Sequence, residues 1–407
     1  MKNILLCSLK YDTNLGDLII NNSVKGIIED ILKDEEIEYK IDEIDLSGRK
    51  YFKTKYEIKT TPKMLFNRLL LNIIRVLRFI ARKIKLKKIF NWLDGIIWNF
   101  TDKKEIFKQI YIDKIKNADM IIFAGGGLIK YNYLYTYSAI DFITRYAEKY
   151  NKPVYFNSVG VEGYDSSNYK CRILKNAINR NNIKMISTRD DLETLKKYID
   201  NENIILRRVA DPAVYSSMVY NISKKKNSDV IGLCVCRDNL FIDSGINYTR
   251  NDLMKLWKEI IRVLDSKGIK WKIYTNGSIA DNEFAYKLLS ELGIEENSQK
   301  FELPKDDKQL IEIISGFKGV IATRLHSCII SFSLNVPVVG LVWNNKLKHF
   351  GNAIGYSERF IECKNFIAED IVEKLLTAID EEYLRTDKSY KKSVYDAICF
   401  SIENYLK

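Results

Sequence analysis

Residues 319–327 read Gly-Val-Ile-Ala-Thr-Arg-Leu-His-Ser. An apolar run that suits a buried strand passes straight into a polar cluster, at the place where a strand would turn into a helix. The same pattern recurs on either side. Residues 3–9, 118–124, 153–161, 184–188 and 204–210 read as strands, and so do 230–236, 271–275, 318–323 and 336–343. Helical spacing falls between them at 18–32, 190–198, 253–264, 283–292, 307–314 and 369–379, with Asp17 in the N-cap place of the first helix. Such alternation implies parallel sheets joined by crossover helices. The polar run 223–229 reads as a linker. The predicted fold is therefore α/β, with two Rossmann-like domains at 1–222 and 223–407 and a cleft between them. The last helix, 390–405, is expected to cross back to the first domain.

Composition agrees with this. A chain of 407 residues is long enough for two cores. At 46% hydrophobic and 29% charged residues it has globular composition. No run reaches the length of a membrane span, and residues 1–9 lack the layout of a signal peptide, so a cytoplasmic protein is expected. The seven cysteines are scattered, with no Cys-x-x-Cys pair, and read as reduced thiols; Cys234 and Cys236 alternate as residues of one strand face. There are only two histidines, His326 and His349, and neither has a Cys or carboxylate at ligand spacing, so no metal site is expected.

The net charge of +12 is local. Ten Lys or Arg and no acidic residue lie between 58 and 93, leaving 55 basic against 53 acidic residues elsewhere. A nucleic-acid partner is not expected, since its footprint would more often cover a whole face. The segment 58–105 reads as a basic amphipathic insertion. Taken as a helix, 66–85 places Arg68, Arg75, Arg78, Arg82 and Lys85 within an arc of about 100°, with Phe66, Leu69, Leu70, Ile73, Leu77, Ile80 and Ile84 opposite. Together with Trp92 and Trp98, residues 63–98 fit contact with a membrane surface; an ordinary surface helix packed on the core fits the same pattern.

Polar clusters stand at successive strand ends, the edge where ligands of such sheets bind. Gly125, Gly126 and Gly127 let the backbone approach a ligand, or form a plain tight turn. Arg189 could reach into the cleft, or pair with Asp190 or Asp191. Asp211-Pro212 closes another strand. Arg324 and His326 can bind a phosphate and move a proton, or can be a salt-bridged arginine and a helix-start histidine. Of the residue types present, histidine is the natural acid or base near neutral pH. Trp343-Asn344-Asn345-Lys346 brings an ammonium to the same edge.

Taken in order, these segments resemble the polysaccharide pyruvyl transferase family. The matching pieces are NLGDLII at 14–20, FAGGGLI at 123–129, STRDDLE at 187–193, VADPAV at 209–214, ATRLHS at 322–327 and VWNNK at 342–346. The resemblance implies a GT-B-like arrangement of the two domains. It also implies transfer of pyruvate from phosphoenolpyruvate to a sugar, as a cyclic ketal, with release of phosphate and no cofactor. Residues carried over are Asp17 as base, His326 as acid, and Arg189, Arg324 and Lys346 as donor-binding cations. This chain has Trp343 where many relatives have Tyr, and Asn345 where Pro is frequent, which bears on the acceptor. A polyprenyl-linked saccharide at the inner face of the membrane would suit the basic segment. Two other readings stand beside this one. The first is a GT-B glycosyltransferase using a nucleotide sugar, for which 300–345 lacks the usual paired acidic signature. The second is a non-catalytic subunit of a polysaccharide assembly complex.

Overall fold

A computed structural model describes residues 1–11, 14–47, 111–132, 136–295 and 298–406, together with 76 and 77. The basic insertion at 58–105 lies outside the described residues, apart from Val76 and Leu77, which are helical.

Two parallel sheets carry the fold. The first has six strands in the order β2-β1-β3-β4-β5-β6: β1 Lys2–Ser8, β2 Tyr39–Asp45, β3 Met120–Ala124, β4 Val154–Val159, β5 Ile183–Thr188 and β6 Ile205–Arg208. The second has five in the order β11-β10-β9-β7-β8: β7 Ile231–Cys234, β8 Trp271–Tyr274, β9 Gly319–Ala322, β10 Val338–Val342 and β11 Phe360–Glu362. The inner strands β3, β4, β7, β9 and β10 are buried along their whole length, as helices on both faces of a parallel sheet require. The edge strands β2 and β6 are polar and partly exposed.

The strand order reverses between β1 and β3 in the first sheet, and between β7 and β9 in the second. At such points the connections leave to opposite faces and open a crevice beyond the strand ends.

The helix Leu15–Asp34 follows β1 and buries Ile19, Ile20, Val24, Ile27, Ile28, Ile31 and Leu32. Its N-cap is Asn14, whose side chain accepts from Gly16 N, and not Asp17 as the sequence suggested. Asp17 instead sits in the first turn, where a carboxylate meets the positive end of the helix dipole.

One continuous apolar cluster joins both sheets through this helix, residues 209–214, the helix Leu325–Ser333 and the last helix. That last helix, Lys388–Leu406, returns to the first sheet: Ser393 Oγ accepts from Ala210 N at 2.9 Å, and Val394, Ala397, Ile398 and Ile402 are buried. Position 222/223 falls between β6 and β7. β7 ends at Cys234, so Cys236 belongs to the loop after it, although both are buried. All seven cysteines are free.

Candidate active site

A cleft of about 840 Å³ lies where the two reversal points face each other. The first sheet contributes the start of the helix Leu15–Asp34 (Asn14, Asp17), the glycine loop after β3 (Gly127, Lys130), the end of β4 (Val161, Glu162) and the end of β5 (Arg189, Asp190, Asp191). The second contributes Asn276 after β8, Arg324 and His326 after β9, and Trp343, Asn344, Asn345 and Lys346 after β10.

The glycine loop is shaped by left-handed backbone. Gly125 has φ +41° and Gly126 φ +71°, and a Cβ at Gly125 would collide with Ile20. A Cβ at Gly126 would lie 3.2 Å from Asp17 Oδ1, so the missing side chain leaves room for that carboxylate. Gly127 lines the cleft; Gly125 and Gly126 stand behind it.

The Arg189 side chain is 6% exposed and pairs with Asp211, not with Asp190 or Asp191, the pairing the sequence also allowed. Its Nη1 also lies 3.3 Å from His326 Nε2, so the contact crosses from one domain to the other. Burial works against the guanidinium charge, but Asp211, Asp190 and Asp17 outweigh it. Its Nε is buried without a partner. Asp190 accepts from Val161 N at 3.0 Å, and Asp191 caps the helix Leu192–Lys196.

Arg324 turns to its own domain. Nε and Nη2 hold Asp281 from two sides, at 2.8 and 2.5 Å, and Asp281 is wholly buried. Arg324 is also the N-cap of the helix Leu325–Ser333, which has no side-chain cap, and this helix starts at the cleft. An uncapped helix start beside an arginine favours an anion.

His326 turns the other way, onto the first helix of the opposite domain. Leu15 N donates to Asn276 O at 3.1 Å across the same junction. Burial first, then Arg189, Lys346 and Arg324, push the imidazole down to about 3, against the pull of Asp211. His326 is therefore neutral at pH 7, and it does not titrate near neutrality as the sequence suggested.

Ser327 Oγ donates to Asn276 Oδ1 at 2.7 Å, leaving Asn276 Nδ2 buried without a partner. Trp343 Nε1 donates to Thr323 O at 2.6 Å, which fixes the indole at the cleft wall. Asn344 caps the helix Asn345–Ala353, with Lys346 in its first turn. Lys346 reaches across to Glu162 at 2.5 Å, and Lys130 pairs with the other oxygen of the same carboxylate. Burial works to raise the Glu162 carboxyl, but the two lysines hold it at about 2.

Asp17, Arg189, Arg324, His326, Lys346 and Gly127 thus line one cleft. Sequence reasoning missed Asn276, Glu162 and Lys130, and also Asp211 and Asp281 as the anchors of the two arginines. Asp211 had a signal, since an Asp-Pro pair at a strand end was visible. Asp281 lies in the first turn of the helix Ile279–Glu291, where an acidic residue reads as an ordinary helix start, so nothing marked it as a partner of Arg324. Among the described residues no group of three His, Cys, Asp or Glu is placed to hold a metal ion. No helix among them is long and apolar enough to cross a membrane.

The fold is similar to two solved structures. A Listeria monocytogenes protein described as a UDP-N-acetylglucosamine 2-epimerase aligns at TM-score 0.55 and 10% identity, over 100% of this chain and 97% of that one. The UDP-N-acetylglucosamine 2-epimerase of Methanocaldococcus jannaschii aligns at 0.53 and 12%, over 99% and 100%. The architecture is accordingly GT-B-like, two Rossmann-like domains facing across a cleft. No curated protein sequence matches the chain. Residues 14–345 match the polysaccharide pyruvyl transferase family, a span that begins at the helix start under His326 and ends in the first turn that carries Lys346, and the chain belongs to that family.

Proposed function

We propose that the cleft moves the pyruvyl group of phosphoenolpyruvate onto two hydroxyls of a sugar in a polysaccharide precursor, giving a cyclic ketal and inorganic phosphate. The observation that carries this reading is the convergence of Arg189, Arg324 and Lys346, drawn from both domains, around a single buried histidine. Phosphoenolpyruvate presents a phosphate and a carboxylate and needs at least two cations. Arg324, already oriented by Asp281, holds the phosphate with the helix start at Leu325. Arg189, with its unpartnered Nε, and Lys346 take the carboxylate.

The chemistry then needs one acid and one base. His326 gives a proton to C3 of the enol, which makes C2 electrophilic. Asp17 takes the proton of the attacking hydroxyl. The second hydroxyl closes the ketal as the C2–O bond to phosphate breaks, and its proton leaves on the departing phosphate. Burial and the surrounding cations keep His326 neutral, so it gains its proton on donor binding: an anion beside the ring favours the imidazolium.

The acceptor is a saccharide, and in our reading it is carried on a polyprenyl lipid, with residues 63–98 meeting the membrane surface. Incubation with phosphoenolpyruvate and a panel of lipid-linked or nitrophenyl sugars tests the reaction. Phosphate release together with a mass gain of pyruvate less water is expected. Turnover of a nucleotide sugar, with none of phosphoenolpyruvate, would overturn the proposal. Liposome flotation with and without 63–98 tests the surface contact, and equal flotation sinks it.

A further inference from the structure

We propose that Asp211 is a positioning residue of this reaction: its carboxylate holds the Arg189 guanidinium against His326, and through it fixes the orientation and tautomer of the imidazole. The link to catalysis rests on the pyruvyl-transfer reading, whereas the geometry stands without it.

Asp211 Oδ2 accepts from Arg189 Nη1, and the same Nη1 is 3.3 Å from His326 Nε2. A guanidinium only donates, so Nε2 is the accepting nitrogen and a neutral imidazole keeps its proton on Nδ1. Of the ring atoms, Nδ1 lies nearest the place where a Cβ of Gly16 would be. The ring is therefore held between Arg189 on one nitrogen and the first helix on the other.

Asp211 is itself firmly placed. It is 2% exposed, and its Oδ1 accepts from Ala213 N at 2.9 Å as cap of the turn Pro212–Tyr215. The preceding residue is tied on both sides: Ala210 O accepts from Ser158 Oγ at 2.6 Å, and Ala210 N donates to Ser393 Oγ of the returning helix. The charged groups acting on the ring are Arg189 and Asp211 from the N-terminal domain, Arg324 at the start of its own helix, and Lys346 from the next helix. Asp211 alone among these favours the imidazolium. Removing its charge lowers the ring's basicity further and unties the arginine that orients it.

Nitrogen-15 NMR of the imidazoles reads this directly, because the chain has only two histidines and a His349→Gln variant leaves one. The wild type is expected to give a neutral, Nδ1-protonated His326 from about pH 5 to 8. Asp211→Asn is expected to give mixed tautomers, and to lower kcat/KM for phosphoenolpyruvate by on the order of 10²-fold or more, as when a catalytic histidine loses its orienting partner. Asp211→Ser keeps an oxygen for the turn cap but cannot reach Arg189, and is expected to behave like Asp211→Asn. A wild-type ring protonated on Nε2, or titrating near 6.5, overturns the proposal with no variant needed. So does a wild-type tautomer and pH profile in a folded Asp211→Ser. If the tautomers behave as described and phosphoenolpyruvate is not turned over, the positioning role stands and the transfer reading fails.

Discussion

The ring of His326 lies against the backbone of Gly16, in the first turn of the helix Leu15–Asp34, where any Cβ would overlap the imidazole. The glycine thus seats a residue of the C-terminal domain on the N-terminal one. Helix propensity alone would favour alanine at this position by about 1 kcal/mol. The collision decides the sign instead. Gly16→Ala is expected to keep its circular dichroism and lose kcat/KM by about 10²-fold, the cost of displacing a reacting group by about 1 Å. A wild-type rate in this variant would mean that the ring is not seated there during turnover.

His326 also predicts a pH dependence of stability. Its pKa falls from 6.5 in the unfolded chain to about 3 in the fold, so the unfolded state binds more protons between those values. Stability then rises with pH across that window, and is lost as pH falls from about 6.5 toward 3. His326→Gln removes the term, and urea midpoints measured between pH 6.5 and 4 should fall less steeply than in the wild type. Activity gives a second reading. The profile of kcat/KM reports the free enzyme and that of kcat the donor complex. The alkaline limb, where the imidazolium gives up its proton, should stand higher in kcat by about one to three units, the usual effect of a nearby opposite charge. Coincident limbs would remove His326 as the acid.

Much of this was legible in the sequence, and the parts that were not have physical reasons. Inner strands such as Met120–Ala124 and Val338–Val342 are buried on both faces and spell continuous apolar runs. The edge strands Tyr39–Asp45 and Phe360–Glu362 went unread: the first is half polar because it faces water, and the second is only three residues long. Arg189, Arg324, His326 and Lys346 stood out because each follows a strand end. Of their carboxylate partners only Asp211 did, as part of the Asp-Pro pair at a strand end. Asp281 and Glu162 lie 43 and 184 residues from the cations they hold, and only the tertiary fold pairs them.

The Arg324–Asp281 pair carries a stability prediction. Asp281 is wholly buried, and its further partner is Arg237 N at 2.9 Å. Arg324→Ala leaves that carboxylate uncompensated, and should cost about 3–5 kcal/mol in urea unfolding. Adding Asp281→Ala should recover a substantial part, because the uncompensated charge goes with it. If the double variant is no more stable than the single one, the pair is not the source of the loss.

The Lys346–Glu162 pair crosses the cleft, so it tests whether the donor must displace a carboxylate. Phosphoenolpyruvate would compete with Glu162 for the same ammonium. Glu162→Gln removes the competitor and should lower KM for phosphoenolpyruvate by a few fold, whereas Lys346→Met should raise it by about 10-fold or more, a cost of roughly 1.4 kcal/mol or above. The two variants also act on acid stability. Glu162 titrates at about 2 in the fold, below its ordinary 4.5, so its contribution is present above 4.5 and is lost as pH falls toward 2. Lys346→Met lets the carboxyl rise while Lys130 still holds it, and Glu162→Gln abolishes the titration. The loss of urea midpoint below pH 4.5 should therefore be shallower in the first variant and shallowest in the second. If Glu162→Gln raises KM as Lys346→Met does, the carboxylate orients the lysine for the donor and does not compete with it.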